Sequence, residues 1–231
     1  MSFFSLFIEL FFPKTCIGCH SRLENNEHIL CKECKGSLEF LSDVCEVCGS
    51  IKKNGVCNVC ESGEISFDKA RSVFHFNKII HNLIHEFKYN EMKKVSKYLG
   101  KLTEEYLNKF QPFEHVDIIT PIPLHKIKKR SRGFNQSEYL TREIADQMKW
   151  DHIPNLILRK KFTETQTKLT KKQRRVNVSG AFKLNPKFDV KNKNILIVDD
   201  VFTTGATINS ASNLLRNNGV NKIYVLTIAR A

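Results

Sequence analysis

A short apolar run, residues 195–198 with the sequence ILIV, stands directly before two adjacent carboxylates, Asp199 and Asp200. A continuous apolar run of this length is typical of a strand buried on both faces, as in a parallel sheet. Apolar residues then recur at helical spacing over 206–215, and an Asn-Asn-Gly sequence, which is a common helix stop, follows them. The sequence therefore predicts a strand, an acidic pair, a turn and a helix in close succession, which indicates an α/β fold.

The residues around the predicted turn are of the types that suit a phosphorylated sugar. A helix N-terminus presents N–H groups and a partial positive charge to a phosphate. Glycine lets the backbone approach closely, and threonine hydroxyls add hydrogen bonds. Carboxylates repel a phosphate, so here they are expected to accept hydrogen bonds from ribose hydroxyls or to hold Mg²⁺ through water. The candidate binding residues are Asp199, Asp200, Thr203, Thr204, Gly205, Ala206 and Thr207.

This segment resembles the loop of type I phosphoribosyltransferases that binds 5-phosphoribosyl 1-pyrophosphate (PRPP). The resemblance lies in the order of an apolar strand, two acids, two further residues and then T-T-G-A-T. It implies that Asp199 and Asp200 hold the ribose hydroxyls with Mg²⁺ nearby, and that residues 203–207 surround the 5′-phosphate. A buried strand with an ordinary polar turn is the alternative, and it explains neither the acids nor the Thr/Gly set.

All eight cysteines lie between residues 16 and 60, in four Cys-x-x-Cys pairs. This pattern indicates metal binding in a reducing cytoplasm rather than disulfides, and two pairs complete one tetrahedral Zn²⁺ site. Four thiolates leave no open position, so two structural zinc ions are predicted. Interleaved pairing and iron–sulfur ligation are the alternatives. Sequential pairing gives one site from Cys16, Cys19, Cys31 and Cys34 and a second from Cys45, Cys48, Cys57 and Cys60.

A second buried strand is predicted over residues 116–121, and a proline-containing segment follows it. In the phosphoribosyltransferases that the chain resembles, a loop at this place binds pyrophosphate. An ordinary strand-ending proline turn is the alternative. The resemblance places Pro123, Leu124 and His125 at the pyrophosphate, with Arg130, Arg132 or a basic residue of a flap over 159–175 assisting.

The run from PIPLH to RGFNQS, residues 121–137, is distinctive. Together with the cysteine pairs before it and the PRPP-type loop after it, this run resembles the ComF family of ComFC-like competence proteins. The resemblance covers nearly the whole chain. It implies an α/β, type I phosphoribosyltransferase fold, with a parallel sheet flanked by helices, over residues 64–231. An N-terminal apolar helix and a small double zinc-ribbon module, with four cysteines at each metal site, are expected over residues 1–63.

The formal net charge is +13, and residues 121–183 hold 16 Lys and Arg against 5 Asp and Glu. A local basic surface favours pyrophosphate, nucleotides or a nucleic-acid backbone, although a solvated lysine-rich face is the alternative. The ComF resemblance implies single-stranded DNA binding in DNA uptake and natural transformation, with uptake helicase or DNA-processing proteins as possible partners.

The apolar segment 3–12 is about half as long as a membrane span and lacks the basic flank of a signal peptide. We expect a short helix that packs on the neighbouring module, with weak membrane contact as the alternative. No transmembrane segment is predicted, and the expected location is the cytoplasm.

Catalysis does not follow from these motifs. Thr203 stands where purine-salvage enzymes with a similar loop carry a carboxylate that serves as general acid or base. No glutaminase half is evident, so ammonia transfer would need a partner or free ammonia. The sequence supports binding of PRPP or a nucleotide and assigns no catalytic residue. The alternative function is a metabolic phosphoribosyltransferase that transfers phosphoribose to a small nitrogen acceptor.

Overall fold

The structure is a computed structural model that describes residues 13–24, 26–52, 57, 60, 65–89, 92–125, 130, 133–160 and 180–231. The predicted N-terminal apolar helix, Arg132 and residues 161–175 of the predicted flap lie outside these ranges. Within them, no helix is both long and apolar enough to cross a lipid bilayer.

Helices and strands alternate along most of the described chain, as an α/β fold requires. The helices are α1 (Lys32–Gly36), α2 (Lys78–Tyr89), α3 (Met92–Phe110), α4 (Gln136–Met148) and α5 (Ala206–Arg216). The strands are β1 (Lys69–His75), β2 (Ile118–Pro121), β3 (Asp151–His152), β4 (Ile157–Arg159), β5 (Phe182–Leu184), β6 (Asn194–Phe202) and β7 (Lys222–Arg230).

Five strands of the described chain form one parallel sheet in the order β1-β7-β6-β2-β3, and β4 and β5 form a separate antiparallel pair. In the register of β2 and β6, Pro121 lies opposite Val198. Because the strands are parallel, their carboxyl ends meet at one edge of the sheet. The loops that follow Pro121 and Phe202 therefore leave the sheet side by side.

Strand β6 confirms the buried strand that the apolar run predicted, since residues 195–198 are all fully buried. The strand is longer than the sequence indicated, because Asp199 stays in register with β7 and pairing continues through Val201 to Phe202. The acidic pair therefore lies within the strand, and the turn holds only residues 203–205. The following helix begins at Ala206 and ends at Arg216, as predicted.

The sheet is covered on both faces, by different helices. Helix α4 packs against β2 and β6 on one face, in the same apolar cluster as residues of α2 and α3. Helix α5 packs against β7 and β5 in the other cluster. After β2 the chain continues to β3, toward one edge of the sheet. After β6 it continues to β7, toward the opposite edge. The crevice between β2 and β6 is thus the point where the direction of winding reverses.

The cysteine-containing segment lies along the exposed edge of β1. Leu41 N donates to Val73 O at 2.8 Å, and Ala70 N donates to Val47 O at 2.7 Å. These contacts cover an edge strand that would otherwise present unpaired backbone groups. The boundary predicted between residues 63 and 64 stays a prediction, since residues 61–64 lie outside the described ranges.

Candidate functional site

The acidic pair near the carboxyl end of β6 has different partners on its two carboxylates. Asp199 Oδ1 accepts hydrogen bonds from Ser137 Oγ at 3.2 Å and from Asp200 N at 2.9 Å. Asp200 Oδ2 forms an ion pair with Lys88 Nζ at 2.5 Å, and its Oδ1 accepts from Val201 N at 2.8 Å. Helix α4 supplies the serine and helix α2 supplies the lysine, so three elements converge on the pair.

Burial raises the pKa of Asp199 to about 7, and the negative charge of Asp200 acts in the same direction. The Asp200 N–H, Lys88 and the Ser137 hydroxyl oppose this rise but do not cancel it. Near neutral pH the Asp199 carboxyl is therefore only partly ionised.

The turn after β6 is tightly constrained at Gly205. This residue has a φ of +72°, in the left-handed region that glycine tolerates best. A Cβ at this position would lie 2.8 Å from Cζ of Phe202, which is closer than such atoms approach. Glycine is therefore required both by the backbone conformation and by the ring beneath it.

Helix α5 begins immediately after this turn, so its N-terminal N–H groups face the same region. Thr203 is exposed, and Thr207 is partly exposed in the first helical turn. The hydroxyl oxygen of Thr204 is buried and has no hydrogen-bond partner in the described part of the chain. The predicted residues 203–207 thus lie together at a helix N-terminus beside the acidic pair.

The proline-containing loop after β2 is anchored to this site from three directions. Ile122 N donates to Val198 O at 2.8 Å, and Asn135 Nδ2 donates to Ile122 O at 3.1 Å. Arg159, at the start of the predicted flap, donates from Nη1 to Pro123 O at 3.4 Å. The residues predicted at the pyrophosphate side are half-buried at Pro123, Leu124 and His125 and exposed at Arg130.

These two loops meet at the winding reversal between β2 and β6. In open parallel sheets, ligands bind in the crevice outside the carboxyl ends of the strands at such a point. The predicted acidic pair and the Thr/Gly turn therefore lie at this point of the fold.

Sequence reasoning missed the groups that contact the pair from other elements. Lys88 lies in α2 and Ser137 in α4, and neither residue is among the site residues predicted from sequence. Asn135 occupies the N-cap position of α4, but its side chain makes no cap hydrogen bond and instead donates to Ile122 O in the β2 loop. No local pattern distinguishes these polar residues from ordinary surface ones.

The eight cysteines form two groups of four, and within each group the sulfur atoms lie within 4.8 Å of one another. The groups are Cys16, Cys19, Cys31 and Cys34, and Cys45, Cys48, Cys57 and Cys60. This confirms sequential pairing and excludes the interleaved alternative. The sulfur separations include 3.7 Å for Cys19–Cys31, 3.5 Å for Cys45–Cys60 and 3.3 Å for Cys48–Cys57.

These separations fit a metal ion at the centre of each group. Tetrahedral coordination at a Zn–S distance of about 2.3 Å places sulfur atoms about 3.8 Å apart. Backbone N–H groups also point at the sulfurs, as where Cys31 N lies 3.2 Å from Cys16 Sγ. Four sulfur atoms around one centre close the coordination shell, which is typical of structural zinc.

Two family models match the chain. The double zinc ribbon domain matches residues 7–64, and the phosphoribosyl transferase domain matches residues 135–231. With the parallel sheet and its flanking helices, these matches confirm the predicted fold, a type I phosphoribosyltransferase fold with an N-terminal double zinc ribbon.

Three curated relatives match most of the chain. Competence protein F of Haemophilus influenzae is 31% identical, over 96% of this chain and 99% of the relative. Competence protein ComFC of Bacillus subtilis is 28% identical, over 82% of this chain and 79% of the relative. DNA utilization protein YhgH of Escherichia coli K12 is 25% identical, over 94% and 97%.

Proposed function

The chain belongs to the ComF family, and on that premise we propose that it binds PRPP or a nucleotide together with Mg²⁺ between the ends of β2 and β6. The observation that carries this proposal is one junction: the Asp199–Asp200 pair leads through a glycine turn into a helix N-terminus, at the winding reversal. This junction offers acceptors for sugar hydroxyls and donors for a phosphate within one short segment.

Each part of the ligand has candidate partners. Asp199 and Asp200 hold the ribose hydroxyls, and the turn and helix start at residues 203–207 hold the 5′-phosphate. The buried Thr204 hydroxyl, which lacks a partner in the described ranges, supports this assignment because it is a donor without an acceptor. On the β2 side, the pyrophosphate lies near Pro123, Leu124 and His125, with Arg130 or Arg132 assisting.

Mg²⁺ suits the oxygen donors of this pair. Asp200 already holds one cation, the Lys88 ammonium, so the position favours positive charge. When bound, Mg²⁺ would neutralise the pyrophosphate oxygens. The carboxylates of Asp199 and Asp200 would hold the ion, directly or through water, while Ser137 keeps the Asp199 side chain in place.

Calorimetric titration with PRPP and Mg²⁺ tests the binding proposal. The wild-type chain should bind PRPP, and Asp200→Asn should weaken binding at least about tenfold, because it removes a charge-assisted acceptor. Asp146→Asn is the control, since Asp146 is an exposed carboxylate on α4. No heat of binding for the wild type, or equal affinity in Asp200→Asn, would contradict the proposal.

We further propose that the chain acts in the cytoplasm in DNA uptake and natural transformation, and that it binds single-stranded DNA. Two observations support this: the concentration of Lys and Arg in residues 121–183, and relatives that are named competence and DNA utilization proteins. Uptake helicase or DNA-processing proteins are the partners expected for this role.

A labelled single-stranded oligonucleotide tests the DNA proposal. Affinity should fall steeply with salt, with a log–log slope of about −0.7 per phosphate neutralised. Binding that does not change between low and high salt, or that is undetectable at physiological salt, would contradict it.

One observation favours a second candidate, a metabolic phosphoribosyltransferase. The Asp199 carboxyl, with a pKa of about 7, is suited to transferring a proton to or from a nitrogen acceptor. Release of pyrophosphate from PRPP in the presence of a small nitrogen acceptor, and its loss in Asp199→Asn, would support this function. If no pyrophosphate is released with a panel of amines and bases, this second function is excluded and ligand binding without transfer remains.

A further inference from the structure

Arg230 connects the second cysteine group to the end of the sheet. It is the last residue of β7 and is only 8% exposed. Its Nη1 donates to Cys48 O at 2.8 Å, and its Nη2 donates to Ser50 Oγ at 2.7 Å. Both acceptors belong to the turn that carries Cys48, so the planar guanidinium is held at two points by one zinc-binding knuckle.

The flat face of the same guanidinium covers Phe202. The central guanidinium carbon lies 4.2 Å from the centroid of the Phe202 ring, which is within the range of a cation–π contact. Phe202 is 3% exposed, and Phe67 packs edge-on against it with ring centroids 6.1 Å apart. The ring is therefore fixed in orientation by a cation on one side and an aromatic edge on another.

Phe202 in turn lies directly beneath the turn that precedes α5. Its Cζ and Cε1 atoms are 2.8 Å and 3.0 Å from the position that a Cβ of Gly205 would occupy. Gly205 O accepts a hydrogen bond from Asn209 N at 2.7 Å, which starts the helix. Any rotation of the Phe202 ring would therefore move against the turn and the first turn of α5.

We propose that Arg230 is a positioning residue for the phosphate-binding turn: it holds Phe202 against Gly205 and fastens both to the Cys48 knuckle. The proposal rests on the proposed function, because the turn is taken to bind the 5′-phosphate. The second zinc ribbon thereby becomes part of the support of the ligand site. Arginine suits this role because only its planar fork satisfies two acceptors while stacking on a ring.

Arg71 offers a matched control. Its Nη1 donates to Cys45 O at 3.3 Å and to Glu46 O at 3.0 Å, and its Nη2 pairs with the Glu46 carboxylate at 2.9 Å. It therefore attaches the same ribbon to the sheet edge from β1. Arg71→Met disturbs this attachment of the ribbon but keeps the contact of Arg230 on Phe202. Arg230→Met removes that contact together with the two hydrogen bonds from Arg230 to the ribbon.

Hydrogen–deuterium exchange of the zinc-loaded full chain tests the proposal without a ligand. In Arg230→Met, amides of residues 203–209 should exchange at least about fivefold faster than in the wild type, because local opening becomes easier. In Arg71→Met these amides should exchange at the wild-type rate. Unchanged exchange in Arg230→Met, or an equal increase in both variants, overturns the proposal. Arg230→Lys keeps the charge but not the fork, and it replaces the methionine variant if that does not fold.

A ligand measurement separates this inference from the proposed function. Ribose 5-phosphate should bind Arg230→Met about tenfold more weakly than wild type, since the turn is no longer preorganised. Pyrophosphate, whose candidate loop follows β2, should bind equally to both. If the two ligands weaken equally, the effect is general and the inference fails. If the wild type binds neither ligand, the proposed function fails, and the exchange result alone decides the role of Arg230.

Discussion

The two carboxylates near the end of β6 differ in the groups that contact them. Asp200 forms an ion pair with the Lys88 ammonium group. Among the described residues, the groups that donate hydrogen bonds to Asp199 are both neutral: Ser137 Oγ and Asp200 N. Burial and the nearby Asp200 charge then raise the pKa of Asp199. Two adjacent residues of the same type therefore have different surroundings, because helices α2 and α4 present different groups to them.

The raised pKa of Asp199 predicts a pH-dependent cost of folding. An ordinary aspartate in the unfolded chain has a pKa of about 3.9, so the folded chain holds this proton more tightly. Stability is therefore lost as pH rises from about 4 to about 7, the pKa in the folded chain. Asp199→Asn removes the ionisable group, so it should stabilise the chain, by about 2 kcal/mol more at pH 8 than at pH 5.5.

Urea unfolding at the two pH values, with zinc present throughout, measures this difference. The exposed Asp146→Asn serves as control and should show no such pH dependence. Asp199→Asn would contradict the prediction if it were less stable than the wild type at pH 8, or if it changed the free energy of unfolding equally at both pH values. Either result would show that ionisation of the Asp199 carboxyl costs the folded chain little stability.

The Lys88–Asp200 ion pair predicts competition with divalent cations. Lys88 Nζ occupies the side of Asp200 that a cation would approach, and both side chains are partly buried. Lys88→Met should therefore bind Mn²⁺, as a substitute for Mg²⁺, roughly three- to tenfold more tightly when no PRPP is present. Paramagnetic resonance of free Mn²⁺ measures the affinity.

Lys78→Met is the matched control for this titration, because Lys78 is exposed at the opposite end of the same helix. Its Mn²⁺ affinity should equal that of the wild type. Equal Mn²⁺ affinity in Lys88→Met and wild type would mean that the acidic pair is not a cation site.

At the scale of single elements, the spacing of apolar residues predicted the strand and the helix whose formation depends on local sequence. The apolar run at 195–198 and the helical spacing over 206–215 predicted β6 and α5 correctly. The extension of β6 to Phe202 was not predictable, because an Asp-Asp pair resembles the start of a turn. It stays in the strand since Asp199 finds a place opposite Thr227 of β7, a neighbour supplied by the sheet rather than by the local sequence.

Two glycines with similar φ angles differ in the space around them, and this difference predicts how much stability an alanine costs in the turn before α5. Gly205 and Gly133 have φ values of +72° and +79°, so alanine at either position is strained. Of the two, only Gly205 also has a neighbour, Phe202, in the way of a Cβ, whereas no residue in the described ranges lies within 4 Å of a Cβ at Gly133. Gly205→Ala should therefore destabilise the chain by at least about 2 kcal/mol, and by about 1 kcal/mol more than Gly133→Ala.

Chemical denaturation of the two alanine variants and the wild type measures this difference. Equal losses in both variants would mean that the Phe202 ring moves aside without cost. That outcome would also weaken the proposal that the ring positions the turn.

At the scale of the whole molecule, the site depends on contacts between residues far apart in sequence. Lys88 and Asp200 meet only because α2 ends over the carboxyl end of β6, and Arg230 meets Cys48 only because the ribbon lies along the sheet edge. Such contacts follow from topology, and a single sequence does not reveal them. The cysteine ligands of the two ribbons were predictable because each Cys-x-x-Cys pair places two ligands close together within four consecutive residues.

The two ribbons share apolar clusters with the sheet rather than having cores of their own. Cys16, Cys31 and Cys34 are buried in the same cluster as Phe74 and Phe87. The first ribbon also contacts α2 directly, where Asn82 Nδ2 donates to Gly18 O at 3.0 Å. The second ribbon is fastened to β1 and β7 by Arg71 and Arg230. Loss of either metal should therefore weaken the sheet as well as the ribbon.

This coupling predicts one cooperative unfolding transition that depends on zinc. Cys34→Ser and Cys48→Ser should each reduce bound zinc from two ions to one per chain and lower the Tm of the whole molecule by at least about 10 °C. Lys35→Ala, an exposed change next to a ligand of the first site, should keep both ions and the wild-type Tm. Calorimetry combined with metal analysis gives both quantities. A sheet transition that stays at the wild-type temperature after zinc is lost would show that the ribbons fold as an independent module, because a metal bound outside the cooperative unit cannot stabilise it.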